Sequence, residues 1–205
     1  MSEGAAHWDA AYERGANQVS WFEDEARTSL DLIARAAVAP DTPVIDVGGG
    51  ASPLTAELLD LGHTDLTVLD ISQAALDAAR ARLGSRAAQV GWIRSDLRAW
   101  RPARDYGLWH DRAVLHFLTD PGDQRHYAAL VARALAAGGH AVIGTFALDG
   151  PERCSGLPVT RHSPESLAGL LGDDFETIVA QHHTHTTPGG SRQAFTWIVA
   201  RRTGG

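Results

Sequence analysis

Val44-Ile45-Asp46-Val47 runs straight into Gly48-Gly49-Gly50, and no other feature of the chain narrows its fold as much. A run this short and branched reads as a buried strand rather than a helix. Glycines placed directly after it let the backbone turn sharply and come close to a ligand. Ser52 then stands as a helix cap with Pro53 at the first helical position, and that helix reaches Gly62. Strand, glycine turn and helix start, in that order, open a parallel α/β sheet, and the helix N-terminus can take a carboxylate or phosphate.

The rest of the chain repeats the alternation. Glu25 to Val38 has helical apolar spacing (Leu30, Ile33, Ala34, Ala37) and ends before Pro40. Leu66 to Leu69 predicts a second strand, and Ser72 caps a helix that stops at Gly84. Gln89 to Ile93, Tyr106 to His110 and Ala141 to Leu148 read as the next strands. A helix from Asp123 to Leu135 precedes the last of these and closes on Gly138-Gly139. Ser163-Pro164 opens another helix to Leu171. Phe175 to Ala180 and Ala194 to Val199 read as strands joined through Pro188-Gly189-Gly190, with no room for a crossover helix, so they should pair antiparallel. The expectation is an α/β, doubly wound and mostly parallel sheet whose last strand is reversed. It occupies a single domain over residues 1–205, with 1–40 a lid segment and first helix and 41–205 the core.

Composition excludes several functions. All 18 Lys and Arg residues are Arg. Without lysine there is no Schiff base, no pyridoxal phosphate anchor and no P-loop cation. A formal charge of −7 with no basic run argues against nucleic acid as a partner. The apolar stretches fall well short of the roughly 18 residues that span a membrane. The segment from Met1 to Glu13 has no hydrophobic block, so no signal peptide is expected. One cysteine suits a reducing cytoplasm. A homodimer is compatible with the sequence, which does not fix the oligomeric state.

Which ligand the glycine turn serves is decided by the acids around it. In a dinucleotide fingerprint the third glycine position would fall on Pro53. Asp46, two residues before the first glycine, would repel a pyrophosphate but attract a sulfonium and an ammonium. Asp70 closes the second strand, where a carboxylate can accept both hydroxyls of a ribose. Asp96 follows the third, where it can accept from an adenine amino group. The set VIDVGGG (44–50), VLDIS (68–72), SDL (95–97) and LWHDRAVLHFL (108–118) resembles the class I S-adenosylmethionine-dependent methyltransferases over nearly the whole chain. The resemblance implies a Rossmann-like sheet of seven strands, the last antiparallel. It further implies that Asp46, Gly48 and Gly50 line the methionine side, that Asp70 holds the ribose, that Asp96 with Leu97 contacts the adenine, and that Ile71 also belongs to the cofactor site. The segment HWDAAYERGANQVSWF (7–22) is similar to the N-terminal part of thiopurine- and tellurite-type methyltransferases. That similarity makes Trp21 the first candidate for a lid over S-adenosylmethionine, with Trp8 and Tyr12 behind it.

Methyl transfer from a sulfonium needs alignment above all, and a base only where the nucleophile must lose a proton. His110 and Asp111 stand where the family positions its acceptor, and His116 follows within the next turns, so these three are the candidate catalytic groups. Around the acceptor the candidates are Arg112, Cys154, Arg153, His162 and His185, which topology brings to the rim beside the glycine turn. His182 and His183 lie on the same hairpin, but the set has no metal spacing as specific as H-E-x-x-H, and no metal is assigned. A small-molecule acceptor is the favoured partner. A protein side chain as acceptor, and a non-catalytic cofactor or metal sensor, remain as alternatives.

Overall fold

The computed structural model describes residues 3–13 and 19–204; residues 14–18 of the aromatic N-terminal segment lie outside it. The chain begins with helix α1 (Glu3–Glu13) and then α2 (Arg27–Ala36). Strand β1 (Val44–Val47), α3 (Leu54–Asp60), β2 (Leu66–Asp70), α4 (Gln73–Leu83) and β3 (Val90–Arg94) follow. The second half holds β4 (Tyr106–Arg112), α5 (Pro121–Ala134), β5 (Leu135–Phe146), a small hairpin of β6 (Arg153–Cys154) and β7 (Leu157–Pro158), α6 (Pro164–Leu171), β8 (Phe175–Thr186) and β9 (Arg192–Arg202).

Seven of these strands make one sheet in the order β3-β2-β1-β4-β5-β9-β8. The pairs through β5 are parallel, whereas β9 runs antiparallel to both β5 and β8. The reversed strand is thus the last in the chain, but it is inserted between β5 and β8. This is a Rossmann-like, mostly parallel sheet of seven strands. The order turns back on itself between β1 and β4, so a crevice opens outside their carboxyl ends. Side chains alternate across that line. Val44, Leu108, Val142 and Trp197 pack under α2, α3 and α4, whereas Ile45, Trp109, Ile143 and Ile198 pack under α5 and α6.

Four boundaries differ from the sequence expectation. Helix α1 was not foreseen, because small alanines (Ala5, Ala11) carry its buried face and leave little apolar periodicity. Helix α3 starts one residue late: Pro53 holds the cap position, and Ser52 Oγ accepts from the Leu54 N–H at 3.2 Å. Strand β5 begins directly at Leu135, so Gly138-Gly139 lies within the strand rather than ending α5. The closing hairpin is much longer than expected, since β8 and β9 stay paired from Phe175↔Arg202 to Thr186↔Arg192. Capping of α4 by Ser72 and of α6 by Ser163 follows the sequence pattern.

Candidate active site

The glycine turn is shaped by what stands against it. Gly48 has φ +66°, and a β-carbon there would meet Val114 Cγ2 at 2.1 Å. Gly50 has φ +33°, and its β-carbon would approach Asp70 Oδ2 to 2.8 Å. Both positions therefore require glycine, for backbone angle and for space. The turn forms the wall of two joined cavities, of about 40 Å³ and 370 Å³, which share Tyr12, Trp21, Val47, Gly48 and Arg112.

Beneath the turn lies a buried chain of polar groups. In the β1–β4 register Asp46 stands opposite His110, so both side chains leave the same face. His110 Nδ1 lies 2.7 Å from Asp46 Oδ1, and His110 Nε2 lies 2.9 Å from Ser29 Oγ on α2. A carboxylate only accepts, so the ring donates from Nδ1 and in its neutral form accepts the Ser29 hydroxyl on Nε2. Asp46 Oδ2 is buried without a partner. Such an oxygen lacks a hydrogen-bond donor.

Asp70 closes β2, the strand beside β1. Its Oδ1 accepts from the Ser72 N–H at 2.8 Å. Burial, helped by the nearby Asp46 charge, pushes its pKa up to about 7 against the pull of the Ser72 amide. Ile71 and Leu97 line the larger cavity beside it. Asp96 lines it as well, and its two oxygens already accept from Arg98, at 3.1 Å from Nε and 2.6 Å from Nη2. Those bonds hold the Asp96 carboxyl below its ordinary range despite partial burial.

The roof comes from α1 and residues 19–25. Asp9 accepts from Ser72 Oγ at 2.7 Å and from the Ala74 N–H at 3.2 Å, which fastens α1 to the start of α4. Trp8, Trp21 and Phe117 meet edge to face, with centroids 5.6 Å apart for Trp8–Trp21 and 4.8 Å for Trp8–Phe117. Trp21 Nε1 donates to Tyr12 Oη at 3.1 Å. Arg112 ties the roof to β4: it donates to the Trp21 carbonyl at 2.8 Å and to Glu23 Oε1 at 2.7 Å, with its guanidinium over Phe195. On the other side His185 Nε2 donates to the Ser20 carbonyl at 2.9 Å.

Several groups expected at the acceptor are placed elsewhere. Asp111 alternates onto the α5 face and is fully buried. There it accepts from Tyr127 Oη at 2.7 Å and from the Val114 and Leu115 amides, so it braces the turn after β4 and faces neither cavity. His116 is also fully buried, against Phe117 and stacked on Phe146 at 4.4 Å. Burial, with Arg112 and His162 nearby, drives its pKa down to about 3, which makes it a poor proton acceptor, and it lines neither cavity. His110 lines the smaller cavity, but both of its nitrogens are engaged. Arg153 is exposed and donates to the Gly156 carbonyl of its own hairpin. His162 is buried beside Ser166, and neither it nor His185 lines either of these two cavities. His182 and His183 are exposed on β8.

Arg112 and Cys154 do reach the larger cavity. Burial raises the Cys154 thiol to about 11, so it stays protonated near neutrality. The sequence pattern missed Glu23, Ser29, Asp9 and Phe117. Each acts through a partner distant in the chain, and no local motif marks it.

Comparison with known proteins agrees with this geometry. Residues 44–139 match the methyltransferase domain family. A trans-aconitate 2-methyltransferase of Azoarcus sp. (strain BH72) is 37% identical over 101 residues, 48% of this chain and 38% of that protein. The chain thus spans about two-fifths of the length of the curated relatives it matches first. Among solved structures, the 1,6-didemethyltoxoflavin-N1-methyltransferase of Burkholderia thailandensis superposes with a TM-score of 0.75 at 23% identity, over 98% of this chain and 88% of the other. The N-methyltransferase NodS of Bradyrhizobium japonicum WM9, in complex with S-adenosyl-L-homocysteine, gives 0.72 at 19% identity, over 95% and 97%. The family match runs from β1 into β5, and the solved structures share the seven-stranded fold over nearly the whole chain. Among the described residues no helix is long and apolar enough to cross a membrane.

Proposed function

We propose that the protein is an S-adenosylmethionine-dependent methyltransferase that passes a methyl group in line to a small-molecule acceptor, in the cytoplasm. The observation that carries this reading is Asp46, whose buried free oxygen stands beside a glycine turn that no side chain can fill. These residues fit the cofactor. Asp46, Gly48 and Gly50 would hold its methionine end, Asp70 and Ile71 its ribose, and Asp96 and Leu97 its adenine, under Trp21. When bound, the cofactor supplies a methyl group on a sulfonium, a leaving group that departs without an acid.

What remains for the chain is to bind, orient and exclude water, which together can lower a barrier by up to about 7–11 kcal/mol. The His110–Ser29 pair would hold the Asp46 carboxylate against the ammonium. The aromatic roof would keep solvent from the transfer path, and Arg112 would orient the acceptor beside Cys154. A roof of α1 and residues 19–25 over the larger cavity favours a small acceptor over a side chain of a folded protein. The thiopurine- and tellurite-like character of the N-terminal segment points the same way, as do relatives named for trans-aconitate.

Calorimetry with S-adenosylhomocysteine tests the cofactor reading. Asp70→Ala should weaken binding by about 1–3 kcal/mol through lost charge-assisted hydrogen bonds, and unchanged affinity would remove the ribose role. Release of labelled methyl to small acceptors tests the enzyme reading. Tight cofactor binding with no transfer to any thiol, metalloid, small acid or ring compound would leave a sensor instead.

A further inference from the structure

We infer that His185 is a positioning residue: it latches residues 19–25 of the roof, and it does so as an imidazolium, so that this part of the roof loosens as pH rises. Its consequence for ligand exchange rests on the reading above; the latch itself does not. Strand β8 leads there first. Of its twelve residues only His185 is buried, the others being half-buried or exposed. The strand stays paired with β9 as far as Thr186↔Arg192, and that overhang carries His185 to the Ser20 carbonyl. Burial of a polar ring on so exposed a strand is explained by the partners it meets there. The other half of the roof, α1, is held separately through Asp9.

The donor count gives the charge. His185 Nε2 lies 2.9 Å from the Ser20 carbonyl, and Nδ1 lies 3.4 Å from Glu23 Oε1. A carbonyl and a carboxylate only accept. A neutral ring has one N–H, so it would serve Ser20 and turn a lone pair on Glu23, or the reverse. Only the imidazolium presents an N–H to both. Glu23 is gripped from the other side by Arg112, whose Nη2 donates to the same oxygen at 2.7 Å while its Nη1 donates to the Trp21 carbonyl at 2.8 Å. Strands β4 and β8 thus hold Ser20, Trp21 and Glu23 between them, with one carboxylate shared.

Few other groups bear on the ring. Glu23, from the roof, favours its proton. Arg112, from β4, opposes it, but Glu23 offsets that charge in the same contact. Cys154, on β6, hydrogen-bonds the Ser20 side chain, and burial raises its thiol to about 11, so it is uncharged near neutrality. On β9, Gln193 stands opposite His185 and Phe195 meets it edge to face. His183, next on the same face of β8, is exposed. Linkage sets the sign. A closed roof gives the proton two acceptors, so it binds the proton more tightly than an open one. Closure is therefore strongest at low pH and weakens as pH rises. His185 lines neither cavity and acts through Glu23 and Arg112, which line the smaller one. The latch bonds lie within the chain, so loosening them speeds entry and exit of a ligand alike.

The test is hydrogen exchange of peptide 19–25 in the full, ligand-free chain, with the intrinsic effect of pH divided out. Wild-type protection should fall about fivefold or more between about pH 5.5 and pH 8, the span in which an imidazole loses its proton. His185→Gln keeps an amide donor for Ser20 but does not titrate. Its protection should be flat with pH, at about the wild-type level of pH 8. His185→Ala should lower protection about tenfold at pH 5.5. Protection of the α5 amides should stay at the wild-type level in both variants. With S-adenosylhomocysteine as probe, association and dissociation should both quicken from pH 5.5 to 8 in the wild type relative to His185→Gln; the effect of Asp70 is common to the two and divides out. Wild-type protection that ignores pH overturns the inference, as does a His185→Gln variant that keeps the pH dependence. An equal loss in α5 also overturns it, since His185 would then support the fold and not the roof. Failure of S-adenosylhomocysteine to bind is a separate result: it removes the methyltransferase reading, and the exchange data still decide the latch.

Discussion

Asp70 faces two opposed demands. Buried beside Asp46, it would rather be protonated, and its pKa stands near 7. To receive two ribose hydroxyls it has to be a carboxylate. The sign follows from linkage. The folded protein holds this proton to higher pH than the unfolded chain, so this group's contribution to stability falls as pH rises from about 4 to about 7. Cofactor affinity runs the other way. Affinity for S-adenosylhomocysteine should rise by up to about tenfold per pH unit below about 7 and level off above it. Asp70→Asn should bind weakly and flatten the profile; a wild-type profile already flat from pH 5 to 8 would show that Asp70 is ionised throughout. Ser29 acts at one remove. Ser29→Ala deletes the donor to His110 Nε2 and leaves that ring nitrogen buried and unpaired, which should loosen Asp46 and cost about 1–2 kcal/mol of cofactor affinity by calorimetry.

At the scale of elements, the roof depends on one carboxylate. Asp9 on α1 accepts from a side chain and a backbone amide at the first turn of α4, where unpaired amides favour an anion. Its bond from Ser72 holds the Asp9 carboxyl below its ordinary pKa. Asp9→Ala should therefore release α1 from α4 while leaving the sheet intact. Hydrogen exchange of α1 amides should quicken by about tenfold, and S-adenosylhomocysteine should leave faster, followed through Trp8 and Trp21 fluorescence. Unaltered exchange in α1 would mean that the aromatic contacts hold the roof without Asp9. Little of this docking could be read from the sequence. Strands β1, β2 and β4 announced themselves through short apolar runs, and α4 and α6 through their serine caps. Asp9 announces nothing, because its partners lie in another element more than 60 residues along the chain.

Over the whole molecule, alternation and register decide which side chains reach the site. The parallel sheet and its reversed last strand were legible from the order of strands, helices and the closing hairpin. The fate of three neighbours in β4 was not, because the pattern HDR does not say which face is which. Pairing of Asp46 with His110 sends His110 and Arg112 to one face and Asp111 to the other. The reversed strand completes that arrangement. Trp197 on β9 lies flat across Gly144 on β5 and reaches toward His110, with ring centroids 6.2 Å apart. A β-carbon at Gly144 would come within 2.6 Å of the Trp197 ring, which is fully buried and has nowhere to retreat. Gly144→Ala should destabilise the fold by about 1–3 kcal/mol, read from the urea midpoint, as an overpacked core does. The indole nitrogen of Trp197 has no partner, so Trp197→Phe removes ring volume without breaking a hydrogen bond. Placed on the Gly144→Ala background, it should recover part of the loss, giving a coupling between the two sites of about 1 kcal/mol. Strictly additive effects would mean that the strain is absorbed by backbone movement in β5. In that case β9 would be a passive cover, and not the strand that holds His110 and Asp46 in line.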